Sequence, residues 1–241
     1  MKNYEEKYWA NRAGQYNKTS WVENEDFIDA FLDILPSKSF DSILEVGIGT
    51  GAVANKVSER IGPLTGIDIS KEMIAKIENP NIFAAVGDAH NLKFENNIFD
   101  LIYMRNVIHY IDNPEKAFSE IYRCLKLGGY FLFSQVVPPE DSISEEYDWL
   151  VGRNIHYPTQ TEIINWMQKF QIIKEKDYIL TGQSIMNWLN NTCNEKKEKD
   201  EIIIRHIETS ELYKTLVNYS ALNDDMFVDI KHFMLLVQKV K

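Results

Sequence analysis

The residues with the clearest chemistry lie in Ile43 to Ala54, ILEVGIGTGAVA, where Glu45 precedes Gly47, Gly49 and Gly51 at alternate positions. An apolar run that ends in glycines predicts a strand turning into a helix. Glycine accepts positive φ and lets a ligand approach the backbone. The helix start behind it offers free amides and the positive end of a dipole. Two cofactor types compete for such a turn. A nicotinamide or flavin site prefers G-x-G-x-x-G followed by an acid about twenty residues on. Here the third glycine arrives one position early, although Ala52 can serve as the last small residue. Glu45 discriminates further, because a carboxylate aimed at the loop suits an ammonium group and opposes a pyrophosphate. Asp68 in GIDIS and Asp88 in GDAHNLKF add two acids at predicted strand ends. Each alone is equally a helix cap or a turn residue. His109 follows another apolar run, and a histidine can accept a proton near neutral pH.

Alternating strands and helices must position these groups. NEDFIDAFLDILP puts Phe27, Ile28, Phe31, Leu32 and Leu35 on one helical face, and Pro36 stops that helix. DSILEVG, LTGIDIS, NIFAAVGDA, FDLIYMRNVI and YFLFSQVV are predicted strands. TGAVANKVSERIG, KEMIAKIENP and NPEKAFSEIYRCLKLGG are the predicted helices between them. That alternation calls for a parallel sheet covered on both faces, with ligands at the carboxyl ends of its strands. After Val137 the texture changes. PPEDSISEEYDWLVGRNIHYP holds turn residues, acids and aromatics but no clear strand. TQTEIINWMQKF is a helix whose Thr159 and Glu162 have capping-box spacing. QIIKEKDYIL and MFVDIKHFMLLVQ read as late strands, with mostly helical sequence between them. The expected organisation is one domain: N-terminal helices over 1–36, a ligand-binding core over 37–137, and a cover over 138–241 with a helical insert at about 183–222.

Composition narrows the partners. The 241 residues carry a formal net charge of -10, which opposes long contact with a nucleic-acid backbone. No nucleic-acid partner is expected. The two cysteines, Cys124 and Cys193, are far apart, and the five histidines form no metal-binding pair, so neither a metal nor a disulfide framework is expected. MKNYEEKYWANRAGQY has no apolar core of signal-peptide length, and no apolar run is long enough to span a bilayer. The expectation is a soluble, cytoplasmic protein.

ILEVGIGTG resembles the first motif of the class I S-adenosylmethionine-dependent methyltransferases, and three later segments agree in order. The resemblance implies that Asp68 binds both ribose hydroxyls, that Asp88 accepts from the adenine amino group, and that Ala89 lies beside the ring. FDLIYMRNVIHYIDNPEKAFSEIYRCLKLGGYFLF resembles the fourth strand, its helix and the turn into the fifth strand. Together these segments span Ile43 to Phe133. The implied cofactor is S-adenosyl-L-methionine, held by Glu45, Gly47, Ile48, Gly49, Gly51, Asp68, Ile69, Met73, Gly87, Asp88, Ala89 and Arg105. The implied fold is an α/β, Rossmann-like, doubly wound sheet of seven strands with the last one antiparallel and a helical lid. The core is similar to the type 11 group, which includes quinone C-methyltransferases and malonyl-carrier-protein O-methyltransferases. YWANRAGQYN fits the opening helix of that group, which places Tyr16 over the cofactor and Trp9 and Arg12 near the acceptor.

The chemistry implied is methyl transfer to a small-molecule acceptor at oxygen, nitrogen or carbon. Transfer is mostly a matter of alignment, because a sulfonium methyl is already activated. A base is needed only when the acceptor must lose a proton. His109 is the candidate base; its other reading is a ring packed over the cofactor. Trp149, Arg153 and His156 are candidate acceptor contacts, with Arg153 suited to a carboxylate or phosphate. Extra helices between the last two strands depart from the quinone enzymes and argue against a quinone acceptor. Two unclustered cysteines argue against metalloid methylation. The competing functions are a nucleotide-dependent oxidoreductase and a catalytically silent S-adenosylmethionine-binding module.

Overall fold

The computed structural model describes Trp9, Gly14, Lys18 and residues 24–193 and 195–240. Helix α1 (Glu25–Leu32) starts where the Asn24 side chain accepts from the Phe27 amide at 2.8 Å. It buries Phe27, Ile28 and Phe31 on one face. Strand β1 (Ile43–Val46) is buried throughout, as a central strand covered on both faces must be. It leads through the glycine turn into α2 (Ala52–Ile61). Then follow β2 (Leu64–Asp68), α3 (Lys71–Ile74), β3 (Ile82–Val86), β4 (Phe99–Arg105), α4 (Pro114–Cys124) and β5 (Leu125–Val136). The later elements are α5 (Ser144–Val151), α6 (Gln160–Trp166), β6 (Gln171–Ser184), α7 (Ile185–Thr192), α8 (Lys196–Glu208), α9 (Glu211–Leu216), β7 (Ser220–Leu222) and β8 (Asp225–Gln238).

The sheet runs β3-β2-β1-β4-β5-β8-β6. Strands β1 to β5 pair in parallel, and β8 is antiparallel to both β5 and β6. This is the expected doubly wound sheet with its last strand reversed. An eighth strand, β7, lies in the segment expected to be mostly helical. It forms a hairpin with β8 through Asn223 and Asp224, both at positive φ, which suits a two-residue turn.

Two helices are shorter than their sequence pattern. KEMIAKIENP yields only the four residues of α3. Beyond it the amides of Lys76 and Ile77 bond three residues back, and the Asn79 side chain is tied to Asn55 and Ser58 of α2. NPEKAFSEIYRCLKLGG stops at Cys124, because Lys126 to Gly129 form an irregularity at the start of β5. The Lys239 ammonium there bonds the Tyr122 and Leu125 carbonyls and Asn97 Oδ1 at 2.8, 2.9 and 2.8 Å. A cation at a helix C-terminus satisfies carbonyls that have no partner within the helix.

Apolar clusters fill both faces of the sheet. A third cluster, including Tyr147, Leu150, Leu189, Ile202, Tyr213 and Met226, joins α5, α7, α8, α9 and the start of β8. These later elements thus share a core of their own.

Candidate active site

The acids and glycines meet at the carboxyl ends of β1 to β4, around a cavity of about 620 Å³. Gly47 sits at φ +80, and a Cβ there would come 2.3 Å from Val107 Cγ2. At Gly49, by contrast, a Cβ would meet nothing within 4 Å, so the turn presents bare backbone to open space. Glu45, Gly47, Ile48, Gly49, Asp68, Ile69 and Met73 all line the cavity, as do Gly87, Asp88, Ala89 and Arg105. Gly51 does not; it caps the start of α2 and packs on Ile77.

Glu45 is only 2% exposed, and its Oε2 accepts from the Tyr103 hydroxyl at 2.8 Å. The two residues are register partners on β1 and β4. Burial pushes the Glu45 carboxyl up to about 8, against the opposing pull of the Tyr103 bond and of Arg105. A cationic ligand arriving there would favour the charged form. Asp68 Oδ2 accepts from the Gly49 amide and Oδ1 from the Ser70 amide, each at 2.9 Å. The acid that ends β2 therefore shapes the glycine turn as well as facing the cavity. Burial raises its pKa, and those amides limit the rise. Asp88 is more open. Burial raises its pKa, but the His90 amide and ring, both at 2.8 Å from Oδ1, outweigh that and hold it below the usual carboxylate value. His90 Nε2 lies 2.9 Å from Asp112 Oδ1, which ties the Asp88 turn to the segment after β4.

His109 stands on a single 3-10 turn, Ile108–Tyr110, just past β4. Its ring stacks on Tyr157 at 4.6 Å and lies 3.9 Å from the Tyr110 ring. Burial pushes its pKa down to about 4, so the ring is neutral at pH 7. Its Nδ1 faces the side-chain amide of the fully buried Gln135 on β5. Trp9 meets the Tyr110 ring edge-on at 4.6 Å and also lines the cavity. Arg12 and Tyr16 lie outside the described residues.

The predicted acceptor contacts separate. His156 lines the cavity, together with Asn154, Ile155 and Pro158. Its Nδ1 is 2.6 Å from Asp148 Oδ2, and its Nε2 is 3.1 Å from both Glu162 oxygens. The Asp148 bond raises its pKa to about 9, helped by Glu162 and opposed by burial. Trp149 and Arg153 are absent from the cavity lining. Trp149 is 46% exposed, with Arg205 over its ring. Arg153 takes φ +66, and its guanidinium lies 4.8 Å from the Trp188 ring and donates to Thr192 Oγ1 at 3.0 Å. Sequence reasoning missed Tyr103 and Gln135. The signal for Gln135 was a polar residue in the apolar run YFLFSQVV.

A sheet wound this way, with acids at or just beyond the ends of two adjacent strands beside a glycine turn, defines a domain of the doubly wound class, in which ligands sit at the carboxyl ends of the strands. Residues 44–133 match the family model described as "Methyltransferase domain". Among relatives, phosphoethanolamine N-methyltransferase 2 of Caenorhabditis elegans is 29% identical over 143 residues, covering 56% of this chain and 32% of that protein. The malonyl-[acyl-carrier protein] O-methyltransferase of a Marinomonas species is 32% identical over 114 residues, covering 44% of this chain and 42% of that protein. The chain therefore spans less than half the length of either relative. Among solved structures, a putative methyltransferase from Bacillus halodurans superposes with a TM-score of 0.79 at 17% identity, covering 90% of this chain and all of that one. Residues 44–133 are therefore similar to a methyltransferase domain, and one solved neighbour, a Haemonchus contortus phosphoethanolamine N-methyltransferase 2 at 20% identity and a TM-score of 0.65, is a complex with S-adenosyl-L-methionine. The residues present fit that ligand: a buried acid beneath an open glycine turn for its ammonium, and strand-end acids for its nucleoside. Among the described residues there is no His, Cys, Asp and Glu group able to hold a metal ion, and no helix long and apolar enough to cross a membrane.

Proposed function

We propose that this chain transfers the methyl group of S-adenosylmethionine to a small-molecule acceptor held against His109 and the segment around His156. The observation that carries the reading is the opening of Glu45, Asp68, Asp88 and His109 onto one cavity. When bound, the cofactor supplies a sulfonium methyl, an electrophile that needs alignment more than activation. Glu45 receives the ammonium, the amides around Gly49 receive the amino-acid end, Asp68 takes the ribose hydroxyls, and Asp88 takes the adenine amino group. Val107, Ile108 and His109 shape the space beyond the sulfur. Residues 138–241 act as the cover, with Asn154 to Pro158 as its cavity edge.

Calorimetry and a labelled-methyl acceptor panel test the reading together. S-adenosylhomocysteine should bind, and nicotinamide or flavin dinucleotides should not. Dinucleotide binding without S-adenosylhomocysteine binding would favour an oxidoreductase. Tight S-adenosylhomocysteine binding with no acceptor labelled would mark a silent binding module.

A further inference from the structure

Gln135 is the one buried side-chain amide among the described residues, it touches the cavity-lining His109, and its orientation is determined by its neighbours. Its Nε2 donates to the Val136 carbonyl at 3.0 Å. Turning the amide over would set Oε1 against that carbonyl oxygen, two acceptors facing each other. With the nitrogen held there, its second hydrogen points to His109 Nδ1 at 2.8 Å, while Oε1 lies farther away at 3.2 Å. A ring nitrogen that accepts cannot carry the proton, so neutral His109 carries it on Nε2. Nε2 has no hydrogen bond to any described residue, and His109 lines the cavity. The ring cannot swing away, since Tyr157 stacks on one side and Tyr110 crowds it.

We propose that Gln135 is a positioning residue that holds His109 as a hydrogen-bond donor into the cavity, and that the acceptor is consequently a small molecule presenting an ionised oxygen: a carboxylate, phenolate or enolate. This rests on the methyl-transfer reading above. An Nε2–H pairs with an oxygen lone pair and opposes an N–H of an amine. The transfer balances without a base. The acceptor oxygen forms the new C–O bond as the S–C bond breaks, the released pair stays on sulfur, and no proton has to leave. His109 thereby orients the acceptor and sets its specificity. The two relatives named above bracket this choice, one being an N-methyltransferase and the other an O-methyltransferase.

Nitrogen-15 NMR of the histidine rings in the S-adenosylhomocysteine complex tests the first half without turnover. Between pH 6 and 8, His109 should show an unprotonated Nδ1 and a protonated Nε2; the reverse pattern overturns the proposal in the wild-type protein. Gln135→Glu leaves only an acceptor beside Nδ1, so the proton should move there. An unchanged ring in a variant that still binds S-adenosylhomocysteine also overturns it. Matched carboxylate and amine acceptors test the second half, with label expected on oxygen; label on amines alone sinks the acceptor assignment. His109→Gln keeps a donor near the Nε2 position and should retain turnover within about tenfold, whereas loss of a general base costs about 10²–10⁴. Silence toward every acceptor with intact cofactor binding removes the methyl-transfer reading and the acceptor assignment with it. The ring protonation is read independently of that result.

Discussion

Gly47 and Gly182 both hold positive φ, at +80 and +61, yet they sit in opposite surroundings. A Cβ at Gly47 would lie 2.3 Å from Val107 Cγ2, while one at Gly182 would meet nothing within 4 Å. The same contrast runs through the two halves of the chain. Around the glycine turn, polar groups are held by backbone and by neighbouring strands, and they face a cavity. In the cover, polar groups are used on one another. Glu146 bonds Thr209 Oγ1 at 2.7 Å and both the amide and hydroxyl of Ser210 at 2.9 Å, fastening α5 to the start of α9. Arg153 is taken up by Trp188 and Thr192. The first half turns its polar groups toward a cavity, and the second turns them on one another to hold its own helices together.

The hardest blow to that contrast would be equal costs for the two glycines. Gly47→Ala should destabilise by about 2–5 kcal/mol, from left-handed strain plus overpacking against Val107. Gly182→Ala should cost only the strain, about 1–2 kcal/mol. Urea unfolding of both variants decides it, and Val107→Ala should recover part of the Gly47 loss. Next in size is the split between affinity and stability. Asp68→Ala should weaken S-adenosylhomocysteine binding by about 10- to 100-fold, through lost charged hydrogen bonds. Arg153→Met should leave that affinity unchanged and lower stability by about 1–2 kcal/mol. A comparable loss of affinity in Arg153→Met would join the halves that the comparison separates.

The cavity-lining half was also the legible half. Asp68 and Asp88 can be read from the sequence because each stands where an apolar run stops, and Glu45 because it interrupts one just before the glycines; strand ends are where a parallel sheet binds ligands. The turn and its acids lie within a few residues of those stops. What was not legible depends on register. Tyr103 meets Glu45 only because β1 and β4 pair as they do, across 58 positions of sequence. Gln135 reaches His109 through the pairing of β4 with β5. The cover misled for a different reason. Arg153 has the right chemistry for an anionic acceptor, but its left-handed backbone and the Trp188 ring turn it inward. The length of α4 was misjudged because Lys239, 114 positions beyond Leu125, caps its last carbonyls.

Smaller effects sharpen the comparison through pH. A buried Glu45 at about 8 must ionise to receive an ammonium, and the bound cation lowers its pKa. Binding of S-adenosylhomocysteine should therefore release a proton below about pH 8. Affinity should rise with pH toward that value, by at most about tenfold per unit. Calorimetry in buffers of different ionisation enthalpy measures the proton, and Glu45→Gln should abolish both the release and the slope. A slope that survives in Glu45→Gln would move the ammonium site elsewhere.

The cover should respond to pH with the opposite sign and through stability instead of affinity. His156 is bonded on both ring nitrogens by carboxylates, an arrangement that only the imidazolium satisfies as a double donor. Its pKa is raised in the folded protein to about 9, above the ordinary histidine value. Its contribution is then complete below about pH 6.5 and lost as pH climbs through about 9. The ring is half-exposed, so solvent screening holds the effect to about 1 kcal/mol or less. Thermal unfolding of His156→Gln against wild type should show the deficit at pH 6 and little difference at pH 10. A gap that stays constant across that range would mean the ring acts by packing alone. A change in S-adenosylhomocysteine affinity at pH 6 would mean that Asp148, His156 and Glu162 govern the cavity as well as the cover, and that the cavity edge from Asn154 to Pro158 belongs to the binding half.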